Sequence, residues 1–218
     1  MSGDGETFWG SIPSLMDWRR RVFELYAIVR MTDDPNEAWE AWRAERDDLF
    51  ARHPQSPIQP GERRAFHSLP YFDYDPAFRV AGRMTRTEPK HVAVPASGEE
   101  PGGTIGFIRF GRVEFELSGQ ACALDAMWLD GYGGGLFLPF RDATAGTLTY
   151  GAGRYLLDTV KGSDLGVDEA GDLVLDFNFA YNPSCSYDPR WVCPLAPPGN
   201  RLAVEVPVGE RHPWTTAP

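Results

Sequence analysis

Short runs with an apolar residue at every second position follow one another after Phe66, and this period of two is typical of β-strands. Within Arg112–Leu117, the apolar side chains of Val113, Phe115 and Leu117 alternate with charged ones, as in a half-buried antiparallel strand. Turn-forming residues bound the runs, and the chain holds 23 glycines and 19 prolines, which favours many short strands. The other predicted strands are Leu136–Phe140, Leu148–Tyr150, Arg154–Asp158, Leu173–Phe179 and Leu202–Val208.

The N-terminal part of the chain carries a helical period instead. Its apolar stripe predicts one helix from about Pro13 to Met31, and Asp34 followed by proline predicts a second helix that ends before Pro54. We therefore predict a mainly β fold, an antiparallel β-barrel or sandwich of short strands with two N-terminal α-helices packed on it. The expected organisation is a disordered lead at 1–10, a helical hairpin at 11–53 within the same domain, and an antiparallel β domain at 54–218.

The charge of the chain bears on its partners. The formal net charge is −10, and an acidic surface repels the phosphate backbone of nucleic acids, so we expect no nucleic-acid partner. No stretch approaches the roughly 20 apolar residues of a membrane span, and Met1–Thr7 lacks the basic start of a signal peptide. These features predict a cytoplasmic protein without a membrane partner.

Three segments of the sequence are specific enough to indicate a protein family. They are His53–Ile58 with Leu69–Phe72, Leu136–Gly146 continuing to Gly153–Leu156, and Leu175–Cys185 continuing to Cys193–Leu195 and Asn200–Leu202. Together they resemble a bacterial and archaeal family known as domain of unknown function 1684, over about residues 35–210. The resemblance implies the outline of the chain but no reaction and no cofactor.

Two arginines in the second segment have two possible roles. Arg141 and Arg154 could clamp a ligand carboxylate or phosphate, or they could pair with Asp142, Asp158 or Asp176 to hold strands together. The neighbouring Asp and Thr of the Phe140–Gly146 stretch are expected to bond the backbone of a hairpin turn.

The third segment places Asp176 and Asn178 on the polar face of a predicted strand. That face could line a cleft with Asp176 as a general acid or base, or Asp176 could form a salt bridge with Arg154. Cys185 and Cys193 lack the spacing of a zinc site, so we expect no metal; packing of two buried thiols is favoured over a disulfide.

The polar groups between residues 140 and 200 favour a site for a small molecule. The leading hypothesis is a small-molecule binding protein with a polar-lined pocket in a β-barrel. The alternatives are an enzyme that acts on a small anionic metabolite with Asp/Tyr acid–base chemistry, and a flavin-binding barrel. The candidate ligand-binding residues are Arg141, Asp142, Thr144, Tyr150, Arg154, Tyr155, Asp176, Asn178, Tyr181, Asn182 and Tyr187.

Overall fold

Two α-helices open the chain. The computed structural model describes residues 3–97 and 103–213, with side chains from residue 11 onward. Helix α1 spans Gly3–Met31 and helix α2 spans Pro35–Arg52. The expected start of the first helix near Pro13 is wrong, because this proline lies inside α1. The expectation followed from the usual position of proline in the first turn of a helix, where its missing N–H costs no hydrogen bond. The predicted disordered lead at 1–10 is thus helical in its backbone from Gly3, while residues 1 and 2 lie outside the described part.

The start of α2 follows from its cap. Asp34 has extended backbone angles, and its carboxylate accepts hydrogen bonds from the backbone N–H groups of Asn36 and Glu37. Pro35 occupies the first turn, where its fixed φ suits a helix. The helix ends at Arg52, as predicted from the proline two positions later.

Six antiparallel strands form a nearly closed barrel. In order across the sheet they are β5, β4, β3, β2, β1 and β6. Their bounds are β1 Arg79–Pro95, β2 Thr104–Leu117, β3 Gln120–Leu129, β4 Leu136–Phe140, β5 Arg154–Asp158 and β6 Leu173–Asp176. Tyr155 of β5 exchanges two backbone hydrogen bonds with Tyr181, just beyond β6. This one bridge joins the two edges of the sheet, and we call it the seam; it makes the fold a barrel and not a sandwich.

Three of the predicted strands are wrong in part. Leu148–Tyr150 forms a turn, and the strand that starts at Leu173 stops at Asp176, where a 3-10 turn Phe177–Phe179 begins. Leu202–Val208 buries alternate residues as a strand would, but its backbone groups bond only in part to other backbone groups, those of Arg141 and Ala143 just beyond β4. Further along the segment they bond to the side chains of Asp142 and Arg154. The other 3-10 turns are Arg63–Ala65, Pro76–Phe78, Thr159–Lys161, Ser184–Ser186 and Pro198–Asn200.

The helical hairpin and the barrel share one core. Leu25, Trp39 and Trp42 from the helices belong to the same buried cluster as Phe177 and Phe179. The Trp39 indole N–H also donates to the Asn178 carbonyl at 2.9 Å. The prediction that two N-terminal helices pack on the β structure is confirmed. Within the described residues, neither helix is both long and apolar enough to cross a membrane.

Candidate functional site

A cavity of about 410 Å³ lies between the helical hairpin and the seam of the barrel. Small-molecule sites typically have volumes of about 300–1,000 Å³, so this cavity has the size of a ligand site. Its lining residues are Leu15, Trp18, Arg19, Val22 and Tyr26 of α1; Arg46 and Phe50 of α2; Gln55 and Pro57; Tyr155, Val160, Lys161 and Ser163; Tyr181–Ser184; and Trp191–Cys193.

Aromatic rings form much of the wall. The Trp18 and Phe50 rings are 6.1 Å apart between centroids, and those of Tyr155 and Tyr181 are 5.6 Å apart in an edge-to-face arrangement. Because each ring is held by a neighbour, these surfaces can receive a flat or apolar group without losing much side-chain freedom.

The charged groups of the cavity are all basic. Arg19, Arg46 and Lys161 line it, and none of the described lining residues is Asp or Glu, although the chain has a net charge of −10. Arg19 donates to the Val160 carbonyl at 3.0 Å, and the Lys161 amine lies 3.7 Å from the Asp158 carboxylate. The lining itself therefore contributes positive charge only, although Asp158 offsets part of it.

Arg46 is the deepest of these cations. Its guanidinium donates to Glu210 at 2.9 Å and to the Tyr71 hydroxyl at 2.9 Å, and it lies 5.0 Å from the centroid of the Tyr181 ring. Glu210 is fully buried and also accepts from the Asn182 backbone N–H. The cavity thus borders a buried ion pair that connects α2 to the end of the chain.

Gly209 allows the chain to bring Glu210 to this place. Its φ is +74°, and a Cβ here would lie 2.7 Å from the Phe177 carbonyl and 2.8 Å from the Ala180 carbonyl. Only glycine tolerates both the positive φ and the close approach of the two carbonyl oxygens. Glu210 then donates its own N–H to Ala180 at 2.9 Å, which aligns its side chain with Arg46.

Three of the candidate residues from the sequence line the cavity: Tyr155, Tyr181 and Asn182. The Tyr155 hydroxyl donates to the Pro194 carbonyl at 2.5 Å, and burial raises the pKa of both tyrosines well above the ordinary value. These phenols therefore stay protonated at neutral pH. The segments Phe140–Tyr155 and Asp176–Cys193 meet at the seam.

Arg154 and Asp142 form a separate polar centre in the core. The Arg154 guanidinium bonds to Asp142 at 3.2 Å, to the Val206 carbonyl at 2.8 Å and to the Val208 carbonyl. Burial lowers the pKa of Arg154, with Asp142 acting in the opposite direction. Of the two roles considered for Arg154, the contacts correspond to pairing with Asp142, and its partners are protein groups.

Asp176 pairs with Arg79, not with Arg154. Its carboxylate lies 3.4 Å from the Arg79 guanidinium and accepts from Asn178 at 2.8 and 3.0 Å. The Asn178 amide in turn bonds the backbone of Asp75 in both directions at 2.9 Å. The predicted salt bridge between Asp176 and Arg154 is wrong, because Asp176 pairs with Arg79 and Arg154 pairs with Asp142.

The remaining candidates also lie away from the cavity. Thr144 donates to Asp142 at 2.6 Å within a turn in which Gly146 has a φ of +87°, as predicted for this stretch. Tyr187 packs edge-to-face on Phe50. Arg141 and Tyr150 do not belong to the cavity lining: Arg141 bonds through its backbone to Asn200 and Leu202, and Tyr150 approaches Cys185 at 3.9 Å.

Comparisons with known proteins identify the family. A model described as "Protein of unknown function (DUF1684)" matches residues 64–211, which is more than half of the chain. The chain belongs to this family. It is similar to the uncharacterized protein from gene locus rrnAC0354 of Haloarcula marismortui, solved in solution by NMR, with 37% identity, coverage of 83% of this chain and 97% of that one, and a TM-score of 0.57. No curated protein matches.

The DUF1684 match and the cavity overlap only in part. The helical wall of the cavity precedes residue 64, whereas the seam and Glu210 lie within the matched region. Within the described residues of this DUF1684 protein, no group of three or more His, Cys, Asp or Glu is placed to hold a metal ion.

Most of the basic and helical part of the cavity leaves no signal in the sequence. Trp18 and Val22 belong to the apolar stripe of the first helix, and the stripe gives no sign that part of it faces a cavity. Arg46 and Glu210 are 164 residues apart, and no local pattern connects them. The one usable signal for Glu210 was the preceding glycine, which marks a special backbone conformation.

Glu210 should give this DUF1684 protein a pH-dependent stability. Burial raises the pKa of Glu210 from 4.5 to about 7, although Arg46 acts in the opposite direction. The folded state therefore holds this proton more tightly than the unfolded state, so the resulting stabilisation is complete below pH 4.5 and is lost as pH rises through 7. Relative to Glu210→Gln, the free energy of unfolding of the unaltered protein should fall by about 3 kcal/mol across this window.

Urea unfolding at several pH values measures this effect. Exposed Glu205 provides the control, because Glu205→Gln should keep the pH profile of the unaltered protein. If all three proteins show the same profile between pH 4.5 and 7, Glu210 does not have the pKa that its burial implies.

Proposed function

We propose that this protein binds a small organic anion with an apolar or aromatic body in the cavity between the helical hairpin and the seam. The observation that carries the proposal is the charge of the lining: three basic side chains and, among the described lining residues, no carboxylate, in a chain of net charge −10. A cavity lined by one sign of charge concentrates ligands of the opposite sign.

The walls support an apolar or aromatic body for this ligand. Trp18, Phe50, Tyr155, Tyr181 and Trp191 contribute rings to the lining. Convergent polar groups within a mainly apolar pocket are the usual composition of small-molecule sites. The rings would contact the body of the ligand, while Arg19 and Lys161 would pair with its anionic group.

Asn182 supports a further contact. Its side-chain N–H donates to the Arg211 carbonyl at 2.7 Å, which orients the amide. The side-chain oxygen Oδ1 of Asn182 is buried without a hydrogen-bond partner. A buried polar atom that lacks a partner destabilises the fold until a hydrogen-bond donor reaches it. A ligand N–H or O–H group would satisfy it.

Binding without chemistry is favoured over the enzymatic alternative. Asp176, the expected acid–base residue, does not line the cavity, and its carboxylate is occupied by Arg79 and Asn178. The tyrosines at the cavity have raised pKa values, which makes them poor bases at neutral pH.

For the compartment we retain the cytoplasm as a proposal, supported by three free cysteines.

Filling the cavity tests this proposal. The probe is 8-anilinonaphthalene-1-sulfonate, an aromatic anion whose fluorescence rises in apolar sites. Val22 lines the cavity, whereas Ile28 lies on the exposed face of the same helix. Val22→Trp should weaken probe binding at least about tenfold, since the new indole occupies the space of the ligand, and Ile28→Trp should leave it unchanged.

Charge removal provides the second arm. The double variant Arg19→Gln with Lys161→Gln should also weaken binding about tenfold, equivalent to about 1.4 kcal/mol, while an exposed basic residue of β1, Arg86, changed to Gln should have no effect. Melting temperatures identify any variant that loses its fold. Equal binding by Val22→Trp and Ile28→Trp, with both folded, would contradict the proposal.

A further inference from the structure

Two thiols lie beside the cavity, at the two ends of one loop. Cys185 belongs to the 3-10 turn Ser184–Ser186, and Cys193 lines the cavity. Both are free and buried, with 9% and 3% of their surface exposed. Each thiol acts on the pKa of the other, so the two side chains lie within interaction range, and the two cysteines are eight positions apart along the chain.

The surroundings of the pair make the two thiols unequal. The Tyr150 hydroxyl approaches the Cys185 sulfur at 3.9 Å, whereas the Ser97 hydroxyl bonds to the backbone of Cys193. The hydrogen bond from Cys193 lowers the pKa of Cys185 although burial opposes this, and the same bond together with burial raises the pKa of Cys193. Burial raises the pKa of Tyr150, so its phenol remains a donor to sulfur.

We propose that Cys185 and Cys193 form a redox-active dithiol site, in which Cys185 reacts with hydrogen peroxide and Cys193 resolves the product as an intramolecular disulfide. The Cys185 thiolate attacks one peroxide oxygen, the O–O bond breaks, and the product is a sulfenic acid at Cys185 and hydroxide, which takes up a proton to become water. The Cys193 sulfur then displaces hydroxide from the sulfenic acid and loses its own proton, which forms a second water. In sum, two thiols and one peroxide give one disulfide and two waters.

The geometry fits this sequence of steps. A reactive cysteine needs a stabilised thiolate and a neighbouring thiol that resolves its oxidised form. Tyr150 lies beside the Cys185 sulfur, and Cys193 interacts with it. Hydrogen peroxide is small enough to reach the pair from the cavity that Cys193 lines. The loop between the thiols carries Trp191 and Val192, which also line the cavity, so the disulfide would close a short ring within the cavity wall.

Mass spectrometry of the peroxide-treated protein tests the proposal without any ligand, so its failure is distinguishable from failure of the binding function. Reduced protein is exposed to hydrogen peroxide, quenched with N-ethylmaleimide, denatured and digested with trypsin, which cleaves after Arg190 between the two cysteines. We expect a disulfide-linked peptide pair that contains Cys185 and Cys193, formed at least about tenfold faster than oxidation of Cys122. Cys122 lies on β3 and is a matched internal control, because burial raises the pKa of its thiol.

Variants assign the roles of the two thiols. With Cys193→Ser, dimedone should trap a sulfenic acid at Cys185, and with Cys185→Ser the rapid reaction should disappear, whereas Cys122→Ser should behave as the unaltered protein. Oxidation of Cys185 no faster than that of Cys122, or oxidation that yields no linked pair, would overturn the proposal. If a variant fails to fold, the linked pair in the unaltered protein decides the question alone.

Discussion

Asp142→Ala is expected to destabilise the protein by about 3–5 kcal/mol, the usual cost of breaking a buried ion pair. One oxygen of Asp142 bonds to the Arg154 guanidinium, and the other accepts from the backbone N–H groups of Thr144 and Val206 and from the Thr144 hydroxyl. Arg154 is only 1% exposed. Removal of the carboxylate therefore leaves a buried cation without its counter-charge and two backbone donors without acceptors.

Equilibrium unfolding in guanidinium chloride measures the loss, and Asp130→Ala is the matched control. Asp130 pairs with His91 at 3.0 Å, but both side chains are largely exposed, and such pairs contribute about 0–1 kcal/mol. A loss from Asp142→Ala as small as that of the control would mean that Arg154 finds other partners or reaches solvent.

Trp42→Ala is expected to cost about 3–5 kcal/mol, as large-to-small changes of buried aromatic residues do. The Trp42 side chain is fully buried, and its ring packs on Tyr71 and Phe179 with centroid distances of 5.5 and 5.2 Å. It also supports Arg46, whose guanidinium lies 4.8 Å from the ring centroid. The alanine variant thus loses contacts between the hairpin and the barrel and leaves a void beside the buried ion pair.

Trp128→Ala on β3 is the comparison for this change, because its side chain is 44% exposed and should contribute less than half as much. The two variants are compared by urea unfolding at one pH. Equal losses would show that the hairpin does not depend on Trp42 for its attachment to the barrel.

The predictable parts of the fold depend on residues that lie close to one another in the sequence. The start of α2 depends on a carboxylate at Asp34 and the two N–H groups that follow it. The strand over Arg112–Leu117 depends on alternation alone, and its apolar side chains are buried as predicted. The family was recognisable for a similar reason, because its motifs are continuous stretches of sequence.

The parts that were not predictable depend on partners far along the chain. Leu202–Val208 has the alternation of a strand, but from Val206 onward Asp142 and Arg154 take hydrogen bonds that a neighbouring strand would have taken. Five of the eleven candidate site residues bond to each other in the core and not to a cavity: Asp142, Thr144, Arg154, Asp176 and Asn178. The cavity lies where an apolar helix face meets the barrel, and periodicity cannot show which part of such a face remains uncovered.

The segment from 206 to 210 has a consequence for the order in which the chain can fold. It supplies the acceptors for Arg154 and the carboxylate for Arg46, across separations of 52 to 164 residues. Contacts of such high sequence separation form late, because the loop between them must be closed first. Until this segment docks, Arg46 lacks its counter-charge and Arg154 lacks its backbone acceptors, so neither the hairpin nor the barrel is complete without it. The molecule should accordingly fold as one cooperative unit whose final step is the arrival of its last described strand-like segment.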